Sequence, residues 1–397
     1  MIKKSLLILN GSHSEIPLIK AGKNLGFHVI TTGNNPSLIG HNYSDEYHLA
    51  DYSNREEILA LAKTLDIDYI CSCANDFGAI TASFVAEKMA LAGHDNFATT
   101  LLLHQKDFFK QFSIQHAIPT PYAKCFDDEK QALESIEKYI FPVIIKPVDL
   151  TGGKGVQKAN KTTFVSAVKN SFKQSVEKRI VVEDFFSGTQ HSLSSFLINQ
   201  KVQFSFSDNE YSYLNPYYVS SSAAPASNIE QFKPSLVKAV EKIAEQLQLK
   251  DGIFHIQYLA NKNEAKIIDI TRRCSGDMYP YPVNYSTNID WAEWIVKAEC
   301  GIDCSNFPQI KQLGFYGRYC VMGSNNGRIK KVLISNEIKK NIYDELFWWK
   351  QGDVIDSFMT QKIGIVFLKF NSMEQMLNIT KKLPKLIQVE TVQLELT

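Results

Sequence analysis

An α/β chain of more than one domain is predicted for this 397-residue sequence, on three observations. Strand-like and helix-like periods alternate through the first hundred residues. A β-rich stretch follows Gly301. Between them, an apolar strand ends in a lysine and runs into a glycine-rich loop. Alternation of this kind implies βαβ units and a parallel sheet. The length exceeds one ordinary core, so roughly two to four domains are expected.

The elements follow in order. Residues 6–9 read as a strand, 16–25 as a helix closed by Gly26, and 27–32 as a second strand. Residues 55–65 carry Ile58, Leu59, Ala62 and Leu65 on one helical face. A third strand at 68–73 precedes a helix at 77–91. A helix from Thr99 carries Lys106 and ends before Ile118-Pro119-Thr120-Pro121, where two prolines enforce an extended link. Strand and helix units continue through Glu183. A long helix is expected at about 235–249, with Leu236, Val240, Ile243, Ala244 and Leu247 at helical spacing, and two strands flank the turn 261–263. Strands are expected at 317–322, 330–334 and 363–369, then a helix at 373–383 and a final strand. The segment 211–227, rich in tyrosine and serine, reads as a loop between strands.

Composition narrows the functional classes. The 44% hydrophobic and 21% charged content is that of a soluble globular protein. A net charge of +1 gives no electrostatic footprint for nucleic acid or a membrane surface. No apolar run is long enough for a transmembrane helix, and the start MIKKSLLILNGS has too short an apolar stretch for a signal peptide. The seven cysteines form no disulfide framework and no metal spacing. Reduced, mostly buried thiols and a cytoplasmic location are expected.

The chemistry-bearing segment is FPVIIKPVDLTGGKGV, residues 141–156. Its apolar strand delivers Lys146, and Gly152, Gly153 and Gly155 follow. Glycines let backbone N–H groups approach an anion with no Cβ in the way. The spacing matches neither a P-loop nor the dinucleotide fingerprint. Alone, the segment reads equally as a phosphate-holding device or as a flexible hairpin with a surface lysine. The turn Asn10-Gly11-Ser12-His13 lies at the carboxyl end of the first strand, where open α/β sheets bind ligands, and reads equally as a plain tight turn.

Five segments then occur in a telling order: LLLHQKDFFK with Lys106, the Lys146–Gly155 segment, VVEDFFSG from Val181, GIFHIQ from Gly252, and KIIDITRRCSG from Lys266. Over roughly residues 1–300 this set resembles the ATP-grasp superfamily. The resemblance implies an N-terminal parallel-sheet domain (1–100), a central ATP-binding domain (101–300, with a lid at about 118–184) and a C-terminal β-rich subdomain (301–397).

The resemblance also assigns residues. Lys106 and Lys146 would hold the ATP phosphates under a Gly152–Gly153–Gly155 flap. Glu183, Asp184, Phe185 and Phe186 would form the adenine hinge, with Gln190 where relatives often carry an acidic ribose ligand. Asp269, Gln257 and Thr271 fall at the metal positions, where the family pattern is two acidic residues and an asparagine. Gln257 and Thr271 are neutral oxygen ligands, and Asp269 is one carbon shorter than the usual glutamate. Arg273 would face the reacting carboxylate or acyl phosphate, as a guanidinium suits a planar anion. Arg272 reads as a surface arginine on the opposite face, and His255 as a satisfied strand histidine rather than a base. Gly11, Ser12, His13, Tyr217, Ser275 and Gly276 are candidates for substrate contact.

The implied activity is ATP-dependent ligation of a carboxylate to an amine through an acyl phosphate, using ATP and Mg²⁺, with Mn²⁺ as a substitute. Small-molecule carboxylate and amine partners are expected, with no nucleic acid or membrane partner, and a homodimer is compatible. Two alternatives stand beside it. One is a carboxylating or formyl-transferring ATP-grasp enzyme of nucleotide biosynthesis. The other is a non-catalytic nucleotide-binding regulator with a decayed metal site.

Overall fold

The computed structural model describes residues 3–393. The chain divides into two compact units that interleave along the sequence. The first comprises the chain up to Ser205 with Glu230–Met278 and Ala292–Gln309. The second comprises Phe206–Ile229, Tyr279–Trp291 and the chain from Ile310. This division cuts differently from the linear segments 1–100, 101–300 and 301–397, because sheets collect strands by pairing rather than by chain order.

The first unit opens with β1 (Ser5–Leu9), α1 (Ile16–Asn24), β2 (His28–Gly33), β3 (Glu46–Leu49), α2 (Arg55–Leu65), β4 (Tyr69–Cys71) and α3 (Asp76–Met89). The four strands form a parallel sheet in the order β3-β2-β1-β4. Leu6, Leu7, Ile8 and Leu9 are fully buried, as an unbroken apolar run in a central parallel strand must be. Asn54 caps α2 through the Glu57 N–H, and Asp66 ends it in the left-handed region. The short edge strand β3, with its exposed ends, has no apolar pattern that sequence could reveal.

The expected single helix from Thr99 is two, α4 (Phe97–His104) and α5 (Lys106–Gln115), broken at Gln105, whose ψ is 122°. Arg179 braces the break: its guanidinium binds both Gln105 Oε1 (2.9 Å) and the Asp107 carboxylate. Lys106 therefore starts a helix instead of sitting inside one.

Next come β5 (Ala123–Phe126), α6 (Glu129–Glu134), β6 (Val143–Pro147), β7 (Gln157–Ala159), α7 (Phe164–Gln174) and β8 (Ile180–Asp184). They form an antiparallel sheet in the order β5-β8-β6-β7. Strand alternation splits its residues cleanly. Phe126, Val143, Ile145, Ala159, Ile180 and Val182 pack against Ala132, Phe164 and Val168 of α6 and α7. The opposite face carries Ile144, Lys146, Lys158 and Glu183, which share it by register.

The chain continues through β9 (Thr189–Ile198), β10 (Lys201–Tyr211), β11 (Ser221–Ala224), α8 (Ile229–Leu247), β12 (Gly252–Ala260) and β13 (Ala265–Thr271). Strands β9, β12 and β13 are antiparallel neighbours in the first unit. The segment 211–227 contains β11 and so is not loop throughout. Its serines and alanines pair with β10 and with a later strand, Phe315–Met322, giving a small-residue strand that periodicity does not mark. Helix α8 begins before residue 235 and contains Pro234.

The remaining elements are α9 (Pro280–Thr287), α10 (Trp291–Glu299), β14 (Phe315–Met322), β15 (Gly327–Ile334), α11 (Asn336–Lys339), β16 (Ile342–Phe347), β17 (Val354–Ile355), β18 (Lys362–Phe370), α12 (Met373–Thr380), α13 (Leu383–Leu386) and β19 (Ile387–Val392). In the second unit, β14 pairs with β11 and β18, and β16 with β18. A smaller sheet has the order β17-β15-β19. Val321, Val366, Leu368, Met376 and Leu383 centre that unit's core. The expected helix at 373–383 is split into α12 and α13, with Pro384 at the start of α13. No helix among the described residues is long and apolar enough to cross a membrane.

Candidate functional site

The other face of the β5–β8–β6–β7 sheet, against α5, holds a buried charge cluster. Glu183, on β8, has a side chain 3% exposed. Its Oε2 lies 3.0 Å from Lys146 Nζ on β6, and its Oε1 lies 3.3 Å from Lys110 Nζ on α5. Burial alone would raise the Glu183 carboxyl, but the two ammonium groups outweigh it and hold the carboxyl below the usual range. The Glu183 carboxylate thus pairs with two lysines, while its backbone lies in the ladder between β5 and β6. Lys106 Nζ donates to the Leu150 carbonyl at the base of the glycine loop. Lys106, Lys110, Glu183 and Asp269 line one narrow crevice with Leu103, His104 and Ile268.

Gly152, Gly153 and Gly155 adopt φ of 63°, 72° and 73°, a region costly for other residues. At Gly155 a Cβ would meet Pro147 Cγ at 2.8 Å and Gln174 Oε1 at 2.9 Å, so glycine is required twice over. The loop joins β6 to β7 immediately after Lys146. Beyond Glu183, the Asp184 N–H donates to the Tyr122 carbonyl (2.9 Å), which leaves edge pairing with a base to other hinge groups. Phe185 and Phe186 are not core. With Ile118, Pro121, Tyr122 and Lys266 they line a cavity of about 380 Å³. The Lys158 ammonium sits 3.8 Å from the Phe185 ring centroid.

Register places the predicted metal residues together. Gln257 on β12 lies opposite Asp269 on β13, and His255 opposite Thr271. Directly opposed residues of an antiparallel pair point to the same face, so all four share it. Ser192 and Ser194 of β9 extend the row, opposite Gln257 and His255. Ser194 Oγ lies 2.6 Å from His255 Nδ1, the partner expected of a satisfied strand histidine. Asp269 is exposed, and the nearby Thr271 Oγ1 is buried with no hydrogen-bond partner among the described residues. No group of three or more His, Cys, Asp or Glu among the described residues could hold a metal. The donor set is therefore one carboxylate with neutral oxygens.

The two arginines after β13 diverge. Arg273 Nε lies 2.8 Å from Asp76 Oδ1, and the same oxygen is 3.1 Å from His104 Nδ1. Burial would raise the Asp76 carboxyl, but Arg273 and His104 hold it far below its ordinary value. Asp76 opens α3 just after the capping Asn75. Arg272 is not the surface residue its sequence context suggests. Its side chain is 7% exposed, its Nε lies 2.9 Å from Asp95 Oδ2, and it donates to the Ile253 and Lys250 carbonyls. Cys274 is buried, as are five of the other six free cysteines.

A second set gathers at the carboxyl end of β1. Glu15 accepts from Ser12 N (2.7 Å), Ser12 Oγ (2.7 Å), Asn10 Nδ2 (3.1 Å) and Ala74 N (2.9 Å), which fixes the turn. At Gly11 a Cβ would lie 2.1 Å from His41 Nδ1. The loop after β13 docks here: Asp277 N donates to Ser14 Oγ (2.9 Å), and His13 Nε2 lies 3.4 Å from Asp277 Oδ1. Gly11, Ser12 and His13 are thereby brought beside Ser275 and Gly276. Tyr217 belongs to the second unit, where its N–H donates to Asn215 Oδ1.

Residues 104–214 match the family profile described as phosphoribosylglycinamide synthetase, ATP-grasp (A) domain. That segment, and not the whole chain, is similar to the ATP-grasp domain. The ATP-grasp match includes 34% identity over 107 residues with phosphoribosylamine–glycine ligase of Listeria monocytogenes serotype 4b (strain F2365), which is 26% of this chain and 26% of that relative. Likeness of fold to solved structures extends over nearly the whole chain. The crystal structure of L-amino acid ligase from Bacillus licheniformis superposes with a TM-score of 0.82 at 18% identity, covering 99% of this chain and 100% of that one. That of N5-carboxyaminoimidazole ribonucleotide synthetase from Thermotoga maritima gives 0.74 at 17% identity, covering 98% and 100%.

Sequence reasoning missed Lys110, His104, Asp76 and Glu15 as site-building residues. Lys110 had a signal, since it stands one turn beyond Lys106 on the same helical face. The other three act through contacts between distant segments and carry no local mark.

Proposed function

We propose that this protein is an ATP-dependent carboxylate–amine ligase. The observation that carries the reading is the convergence of Lys106, Glu183 and Asp269 on one crevice, with Lys146 on Glu183 and Lys106 bonded to the Leu150 carbonyl just before the Gly152–Gly155 loop. The two lysines are point charges suited to the phosphates of ATP, and loop N–H groups would complete the cradle. The cavity at Phe185 and Phe186 has a volume suited to a purine.

Asp269, Gln257 and Thr271 fit a weakly held divalent cation, and the unpartnered Thr271 hydroxyl favours that use. Bound there with the phosphates, Mg²⁺ would neutralise charge that otherwise repels an incoming carboxylate. The substrate carboxylate would attack the γ-phosphorus, forming an acyl phosphate and releasing ADP. An amine would then attack the acyl carbon, expel phosphate and lose a proton to give the amide. Arg273, held by Asp76, would orient the carboxylate. The closed loop would exclude water from the acyl phosphate. The turn at Gly11–His13 and the Ser275–Gly276 segment would contact substrate. A homodimer remains the proposed assembly.

Lys146→Ala is expected to weaken ATP binding by about 1.5–3 kcal/mol, the range for a charged hydrogen bond. Calorimetry giving unchanged affinity would remove Lys146 from the site. The loop at Gly152–Gly155 should exchange amide hydrogens quickly without nucleotide and slowly with it, because an open glycine loop has high chain entropy. Equal protection in both states would exclude a closing lid.

A further inference from the structure

Lys110 has no part in the chemistry above, yet it is the most deeply buried ammonium of the site. Its side chain is 2% exposed, on α5 one turn beyond Lys106. Lys110, Glu183 and Lys146 form a chain of alternating charge with an excess of one positive charge, at 3.3 and 3.0 Å. Lys146 is the more open of the two cations, at 12% exposed. Burial pushes the Lys110 ammonium down, and Glu183 partly offsets that.

These positions differ in what each lysine can do. Lys110 is enclosed and has Glu183 as its near counter-ion. Lys146 sits at the strand end where the glycine loop begins. A phosphate arriving beneath that loop would draw Lys146 from the carboxylate. A buried carboxylate left alone is strongly disfavoured, so the move is cheap only if another cation stays behind.

We infer that Lys110 is a positioning residue that acts as the permanent counter-ion of Glu183 and thereby releases Lys146 to the nucleotide phosphates. The inference rests on the nucleotide-binding reading of this site. Without Lys110, Glu183 would have Lys146 as its near cation and would hold it back.

The test is ADP affinity by calorimetry, with thermal melting as a check of folding, for the wild type and for Lys110→Met, Lys110→Arg and the double variant Lys110→Met/Glu183→Gln. Lys110→Met should weaken ADP binding by about tenfold or more. Lys110→Arg should bind within about threefold of the wild type. The double variant should recover most of the loss, because the carboxylate that traps Lys146 is gone; a purely structural role for Lys110 predicts no such recovery. Wild-type affinity in Lys110→Met, or a double variant as weak as the single one, would overturn the inference. If Lys110→Met does not fold, the double variant decides: tight binding supports the inference, and a loss of tenfold or more contradicts it. A wild-type protein that fails to bind ADP would instead overturn the nucleotide reading itself.

Discussion

Asp269→Asn is expected to lower ligase turnover by about 100-fold or more, on the order of 3 kcal/mol in the barrier. Asp269 supplies the one carboxylate on the face it shares with Gln257, His255 and Thr271. Neutralising it would leave a divalent cation with neutral protein oxygens and the phosphates alone. Gln257→Glu tests the same geometry in the opposite direction. It adds a carboxylate directly across from Asp269 at nearly the same volume, so Mg²⁺ should bind more tightly in the nucleotide complex. Near-normal turnover in Asp269→Asn would place metal binding elsewhere. The alignment of β13 with the family pattern would then fail, and with it the role of Arg273.

The largest effect on stability should come from a residue outside the chemistry. Asp95→Ala removes the carboxylate that pairs with Arg272, in a contact where both side chains are less than a tenth exposed. The same carboxylate accepts from Lys250 N at 2.7 Å. Breaking a buried pair from one side typically costs about 3–5 kcal/mol, because the remaining charge stays desolvated. The melting temperature should fall by roughly 10 °C. A shift of about 1 °C would show that Arg272 finds water or another partner.

Much of the fold was legible because it rests on local pattern. The apolar run of β1 and the spaced apolar face of α2 identify themselves, and α2 has the expected limits. The break at Gln105 was not legible, since the residue that braces it, Arg179, is 74 residues away in sequence. Strand β11 was hidden because serine and alanine carry little periodicity and its pairing partner β14 lies about a hundred residues on. The candidate site divides in the same way. Lys146, the glycines, Asp269 and Arg273 lie in segments whose order matches a known family. Their supporting contacts do not. Asp76 and His104 beneath Arg273, and Lys110 behind Glu183, are set by tertiary packing. Arg272 and Arg273 show the limit most plainly, because two adjacent arginines pair with different carboxylates, Asp95 and Asp76, from distant segments.

In the proposed reaction ATP is spent on joining an acid to an amine. Its most direct test is ADP release by the intact protein with ATP and Mg²⁺, measured with pooled amino acids and sugar acids and with each pool withheld in turn. ADP should appear at an appreciable rate only when a carboxylate acceptor is present, and full turnover should also require an amine. ADP release that ignores both pools, or its absence from a protein that binds ATP tightly, would contradict it; the second result would instead favour a nucleotide-binding regulator.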